Sequence, residues 1–273
     1  MDRSAANRIA DENGALLACR SVTVRFGGLI ALDALNLEVR AGEFVGLIGP
    51  NGSGKTTFFN VLTGIYSASM GEARFAGHDL VKMSAPEICR AGIARTFQRS
   101  RLCLPLTVFD NLMIGNHRRL DQGLWHNLFA RRQVRAEFVE NFQAARELAR
   151  AFNPTLADKM TTPVGALTMI DRRRVEVCRA LIGRPKLLLL DEPSAGMTHE
   201  ETGALMDDLL EARTRLPGLA IILIEHEMGV IERVSDHCVV LNYGQKICEG
   251  SYAHVSADSQ VQEAYLGRAE PAS

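Results

Sequence analysis

Lysine is scarce in this chain: five lysines stand against 26 arginines, and 32 acidic residues bring the formal net charge to −1. No global positive field exists to draw the molecule onto nucleic acid, so nucleic acid is not expected among its partners. Long apolar runs are missing as well. The most apolar, 187–190 and 221–224, fall far short of the ~20 residues a bilayer-spanning helix needs. Residues 1–14 are too polar for a signal peptide, and a chain soluble by itself is expected. No C-x-x-C pair occurs among Cys19, Cys89, Cys103, Cys178, Cys238 and Cys248. Their scatter among apolar neighbours argues against zinc and disulfides, and suits small core residues in a reducing compartment. What is plentiful is aliphatic: 47% of 273 residues are hydrophobic, enough for one large domain or two small ones.

Short alternating runs in 16–39, broken by the turn signal Phe26-Gly27-Gly28, predict a small antiparallel sheet. The compact apolar run 43–48 then leads into a glycine-rich loop and a helix-compatible stretch over 57–63, which is the opening of a parallel α/β unit. From about 112 to 160 the period changes: Val134, Phe138, Phe142, Ala145, Leu148, Ala149 and Phe152 form a helical stripe, which reads as one buried helix face. Alternating elements then return. They comprise a helix over 174–182, a buried strand over 186–191, a helix over 200–213, a strand over 219–224, a helix over 228–234, and a hairpin turning at Asn242-Tyr243-Gly244. The polar ends, 1–14 and 268–273, read as flexible tails.

Gly49-Pro50-Asn51-Gly52-Ser53-Gly54-Lys55-Thr56 fits G-x-x-x-x-G-K-[ST] at every fixed position, between a strand and a helix. Such a loop curls backbone N–H groups around phosphate oxygens; Lys55 would neutralise β/γ charge and the Thr56 hydroxyl would ligate Mg²⁺. A second element, Asp191-Glu192, ends a buried strand, where α/β sheets bind ligands. Asp191 is placed to hold magnesium and Glu192 to act as general base, although Asp-Glu-Pro after a strand also serves as a plain helix cap. His226 ends the next apolar strand, as a donor to a γ-phosphate or as a structural histidine. Gln98, in Ala94-Arg95-Thr96-Phe97-Gln98 at the entry to the helical stretch, has the reach for magnesium or water.

In this order the motifs resemble those of ATP-binding cassette (ABC) transporter ATPase subunits over nearly the whole chain, about 16–267. The resemblance implies an α/β fold: a P-loop NTPase (RecA-like) core, an N-terminal antiparallel β subdomain, and an inserted α-helical subdomain over about 99–175, all within one domain spanning 15–267. It implies ATP and Mg²⁺ as cofactors. The nucleotide would be bound by Gly49, Asn51, Gly52, Ser53, Gly54, Lys55, Thr56 and Thr57, with Phe26 stacked on adenine. Lys55, Gln98, Glu192 and His226 would be catalytic, and Thr56, Gln98 and Asp191 would serve the metal. Ser194-Ala195-Gly196-Met197-Thr198 falls at the family's D-loop. Arg25-Phe26-Gly27-Gly28, Ile224-Glu225-His226-Glu227-Met228, Leu241-Asn242-Tyr243-Gly244-Gln245-Lys246-Ile247 and Glu263-Ala264-Tyr265-Leu266-Gly267 resemble, more narrowly, the LivG-type subunit of branched-chain amino-acid importers. Relatives that import urea, amides or other small solutes share much of this pattern.

Where the family carries Leu-Ser-x-Gly-Gln, this chain reads Leu167-Thr168-Met169-Ile170-Asp171. Thr168 keeps a hydroxyl for a phosphate held by the opposite subunit, whereas Ile170 adds branched bulk and Asp171 adds negative charge there. The expected partners are therefore a second, non-identical ABC ATPase with an intact signature, two membrane permeases and, indirectly, a solute-binding protein, at the cytoplasmic face of the plasma membrane. A permease-docking surface is expected over 99–116, where Leu102, Leu104, Leu106 and Phe109 are either interface or ordinary core. The competing readings are a soluble ABC ATPase, against which the single cassette argues, and a P-loop kinase or GTPase, against which the Asp191-Glu192 pair with His226 and the missing N-K-x-D argue.

Overall fold

The computed structural model describes residues 14–98, 101–116 and 131–266, so the expected tails at 1–13 and 268–273 lie outside the described residues. Two sheets organise it. The first is antiparallel, in the order β2-β1-β4-β5, from β1 (Leu17–Phe26), β2 (Leu29–Val39), β4 (Met70–Phe75) and β5 (His78–Asp79). The second runs β10-β9-β3-β8-β7-β6. Its strands are β3 (Phe44–Ile48), β6 (Ile93–Arg95), β7 (Leu187–Asp191), β8 (Ala220–Ile224), β9 (His237–Asn242) and β10 (Gln245–Gly250). Every neighbour in it is parallel except β10 with β9.

The apolar strands are continuous because both faces of this second sheet are covered. Leu187, Leu189, Ile222 and Ile224 enter the core shared with the antiparallel sheet and α1 (Lys55–Leu62), where Phe58, Phe59 and Leu62 meet them. Leu188, Leu190, Ile221 and Leu223 enter the opposite core, against α3 (Val108–Gly115), α4 (Arg131–Phe152), α6 (Met169–Leu181) and α7 (His199–Arg215). Each such Leu or Ile contributes about 1.5–3 kcal/mol by leaving water, and the strict alternation fixes the register. The remaining helices are α2 (Ala85–Ala91), α5 (Pro154–Ala157), α8 (Met228–Val234), α9 (Tyr252–Ala257) and α10 (Ser259–Leu266).

Two sequence expectations need correction. The apolar stripe of α4 is not wholly buried: Ala145, Ala149 and Phe152 are in the core, but Phe138 is 56% exposed, its ring lying 5.2 Å from that of Phe109 and 6.3 Å from that of Phe142. A stripe continues past the point where its neighbour ends, and periodicity does not report where the neighbour stops. Cys103 is likewise exposed instead of core, while Cys19, Cys178, Cys238 and Cys248 are buried and none of the six is in a disulfide.

Candidate functional site

Strands β3, β8, β7 and β6 are adjacent and parallel, so their carboxyl ends share one edge. That edge receives the phosphate loop after β3, Asp191 and Glu192 at the end of β7, His226 just beyond β8, and Gln98 just beyond β6. Residues that are more than 90 positions apart in the chain meet there because of strand order.

The loop is shaped by glycine where nothing larger fits. At Gly49 φ is +147° and a Cβ would lie 2.1 Å from the Leu241 carbonyl oxygen; at Gly54, the residue preceding α1, φ is +106° and a Cβ would lie 2.7 Å from the Ala31 carbonyl oxygen. Lys55 opens α1 with its ammonium buried, donating to the carbonyls of Gly49 at 2.7 Å and Pro50 at 3.0 Å. Burial holds its pKa below the ordinary lysine value, opposed by the charges of Glu192 and Asp191. The buried Ser53 hydroxyl has no partner among the described residues, which is the kind of orphaned donor an oxyanion would satisfy. A cavity of about 370 Å³ lies over this loop, lined by Asn51 to Thr57, Phe26, Glu192 and Tyr243. Phe26 is 44% exposed and steadied edge-on by Tyr66 at 5.1 Å. A larger cavity, about 750 Å³, opens beside Pro50 to Ser53 against Gln260 and Glu263 of α10, but neither Lys55 nor the strand-end carboxylates line it. The chemistry therefore goes with the smaller one.

Glu192 is the centre of a hydrogen-bonded chain. Its Oε2 accepts from Gln98 Nε2 at 2.7 Å and its Oε1 lies 2.7 Å from His226 Nε2. Its backbone has φ +47°, a left-handed conformation that costs a non-glycine residue about 1 kcal/mol or more. The strain turns the side chain into the cavity. Asp191 is instead buried and paired with Arg95 at 2.7 Å, both side chains being 5% exposed. Arg95 also donates to Asn60 and lies against the rings of Phe59 and Phe97.

Thr168 does not line this cavity. Its hydroxyl caps α6, accepting the Asp171 N–H at 3.3 Å. The expectation that Asp171 adds charge beside a phosphate is overturned: its carboxylate is 6% exposed and turned inward, onto Lys159 at 2.7 Å and Arg174 at 3.2 Å. Thr168 and Met169 are the residues of that turn that face outward, and Ile170 is half-buried. Of the docking candidates, Leu104 and Leu106 are exposed whereas Phe109 is core and Leu102 packs against it; Arg99 and Ser100 lie outside the described residues. A nearby, largely apolar groove of about 370 Å³ is lined by Ile65, Ile88, Phe97, Ile114 and Pro185, with Arg95, Glu176 and Arg179 also on its wall.

Several residues of the site escaped sequence reasoning. Arg95 and Glu225 sit inside quoted motifs, but their partners lie far along the chain. Glu225 is buried, its carboxyl pushed up chiefly by burial, and it accepts the backbone N–H groups of Ser194 at 2.9 Å and His226 at 3.3 Å. Tyr243 lines the cavity from the tip of the β9–β10 turn, a place that neither its turn signal nor the motif it belongs to announces.

Residues 32–195 match the family model described as ABC transporter. The chain belongs to the ABC transporter family. Residues 245–271 of this cassette also match the model described as branched-chain amino acid ATP-binding cassette transporter. Curated relatives include the high-affinity branched-chain amino acid transport ATP-binding protein BraF of Pseudomonas aeruginosa, 35% identical over 93% of this chain and 98% of the relative. LivG of Salmonella typhimurium, described in the same words, is 37% identical over the same shares. Among solved structures, a nucleotide-free ATP-binding cassette of an ABC transporter superposes with a TM-score of 0.79 at 29% identity, covering 93% of this chain and 100% of that one. Another cassette, solved in its ADP conformation, gives 0.78, also at 29% identity and covering 93% and 99%. The expected fold class is therefore that of the chain, which is an ATP-hydrolysing, nucleotide-binding cassette of a transporter and lies peripheral to the membrane. Among the described residues no helix is long and apolar enough to cross one.

Proposed function

We propose that this cassette energises the import of branched-chain amino acids, at the cytoplasmic face of the plasma membrane, as one of two non-identical ATPase subunits beneath two permeases served by a solute-binding protein. The match of residues 245–271 carries the choice of substrate class. In the reading of the site, the N–H groups of Gly52 to Thr57 and the Lys55 ammonium hold the triphosphate, and Phe26 stacks on the adenine. Thr56, Asp191 and Gln98 would hold Mg²⁺; these hard oxygens suit a cation that keeps phosphates and water as its remaining ligands. When bound, the ion supplies charge neutralisation at the β- and γ-phosphates.

Glu192 takes the proton of the attacking water through a carboxylate oriented by Gln98 and His226, and His226 follows the γ-phosphate. Arg95 aims the Asp191 carboxylate by pairing with it in a buried setting. The groove lined by Ile65 and Ile114, both about half exposed, has the apolar character a permease loop would cover. Thr168 keeps the hydroxyl and helix end that a nucleotide on the opposite subunit would meet. With Asp171 turned inward, Ile170 alone supports a partner that is not identical.

Glu192→Gln tests the whole reading. Hydrolysis is expected to fall about a thousandfold with ATP affinity retained, and uptake of radiolabelled leucine in cells carrying the variant is expected to stop. Turnover equal to the parent would remove Glu192 from its role, and leucine uptake indifferent to the variant would remove the substrate class.

A further inference from the structure

Helix α6 carries Arg173, Glu176 and Arg179 at intervals of three, so the three side chains share one face. Arg173 and Glu176 pair at 2.8 Å with their side chains only 10% and 5% exposed. From this pair, contacts run to two separate loops. The second terminal nitrogen of Arg173 donates to the Ala195 carbonyl at 3.3 Å and lies 3.5 Å from the Gln98 carbonyl. The other oxygen of Glu176 accepts the Arg101 N–H at 3.3 Å, and Arg179 donates to the Arg101 carbonyl at 2.7 Å. Ala195 belongs to the turn that Glu192 opens, its N–H returning to the Glu192 carbonyl at 3.2 Å. One guanidinium thus joins the backbone beside Gln98 to the backbone that follows Glu192, and these two side chains meet at 2.7 Å.

We propose that Arg173 is a positioning residue for ATP hydrolysis: it holds the Gln98 loop and the Glu192 turn in register and so fixes the contact between Gln98 and Glu192. The inference rests on the reading of Glu192 as general base. Only arginine suits the position, since a planar fork with five donors reaches a carboxylate and two carbonyls at once, whereas an ammonium is a single point. The arrangement is not one selected for stability alone. Among the described residues Arg173 Nε is buried without a partner, and a buried donor left unpaired destabilises the fold.

The experiment measures ATP hydrolysis and nucleotide binding by the full chain together with the subunits that co-purify with it. Arg173→Lys, which keeps the charge beside Glu176, is expected to lower kcat about tenfold with KM and nucleotide affinity within about twofold of the parent. Arg173→Gln is expected to fall at least as far, and serves if the lysine variant folds poorly. Placed on Gln98→Ala, Arg173→Lys is expected to reduce kcat by less than about twofold more, because it acts through Gln98. A kcat close to the parent in both variants overturns the proposal, and so does a tenfold loss that persists on Gln98→Ala. Hydrolysis abolished by Glu192→Gln yet indifferent to Arg173 brings down this inference alone; hydrolysis indifferent to Glu192→Gln brings down the reading of the site and this inference together.

Discussion

The two ends of the parallel sheet carry similar residue types and use them in opposite ways. At the amino ends of its strands, Asp236 accepts from the Phe44 N–H at 2.9 Å and from Arg213 at 2.6 Å. Beside it, His237 lies between Glu43 at 3.2 Å and Glu249 at 3.0 Å. Each of these charges is answered locally by another charge or a backbone donor. At the carboxyl ends Asp191 is likewise paired, with Arg95, but other groups stay available: among the described residues Ser53 Oγ lacks a partner, the Lys55 ammonium donates to carbonyls, and Glu192, met by the neutral Gln98 and by His226, is held in a left-handed conformation beside a cavity. One end is closed by pairing and the other is held open by strain, which is how a fold separates stability from chemistry.

If that division holds, substitutions at the two ends should exchange effects. The largest loss of nucleotide affinity is expected from Lys55→Met, which should weaken ATP binding at least about a hundredfold, by removing the charge that meets the phosphates. Its unfolding free energy should stay within about 1 kcal/mol of the parent. The buried charge is removed along with its two hydrogen bonds, and the two changes oppose one another. Titration with a fluorescent ATP analogue and denaturant unfolding of the same sample read both quantities. A loss of several kcal/mol would mean that the carboxyl end also carries the fold.

Asp236→Ala is the converse. It leaves the Phe44 N–H and the two terminal nitrogens of Arg213 without their acceptor and is expected to cost about 1–3 kcal/mol of stability, read as a shifted denaturant midpoint with unchanged slope. Hydrolysis at saturating ATP is expected to stay within twofold, since Asp236 lies at the far end of the sheet from Glu192. A large fall in kcat with little loss of stability would break the comparison.

The same division explains what the sequence made legible. Motifs set by chain-local geometry were readable: the phosphate loop must follow a strand and open a helix, and the β9–β10 turn needs positive φ at Tyr243 and Gly244. The strands β7 and β8 were equally plain, because burial on both faces leaves a continuous apolar run. The second half of the antiparallel sheet was not. Only alternate positions of β4 are buried, and β5 has two residues, so neither is distinguishable from loop by pattern. Contacts that depend on strand order were hidden for the same reason. Arg95 stood inside a quoted motif, yet nothing in its neighbourhood announces Asp191, and the inward turn of Asp171 onto Lys159 is a tertiary fact.

The smallest expected effect concerns pH and the paired end alone. The bond to Glu43, aided by Glu249 and opposed by partial burial, raises the His237 pKa above its ordinary 6.5, so folding favours the charged ring. That contribution is complete below about pH 6.5 and fades as pH rises through the raised value. Glu43, held chiefly by the same bond below its ordinary 4.5, contributes fully above about pH 4.5 and fades in acid. Both act together between these limits, with Lys246 and the Arg40 N–H completing the surroundings of the two carboxylates. The parent is therefore expected to lose a fraction of a kcal/mol, at most about 1, as pH rises from 6 to 8, below the range where the buried thiols, held up by burial, begin to add their own loss; this is the scale of a partly exposed ion pair. His237→Asn should remove that slope while leaving ATP hydrolysis unchanged. Denaturant unfolding at a series of pH values decides it: parallel curves for parent and variant would show that the ring is not a charged partner at this end, and the contrast between the two ends would then rest on Asp236 alone.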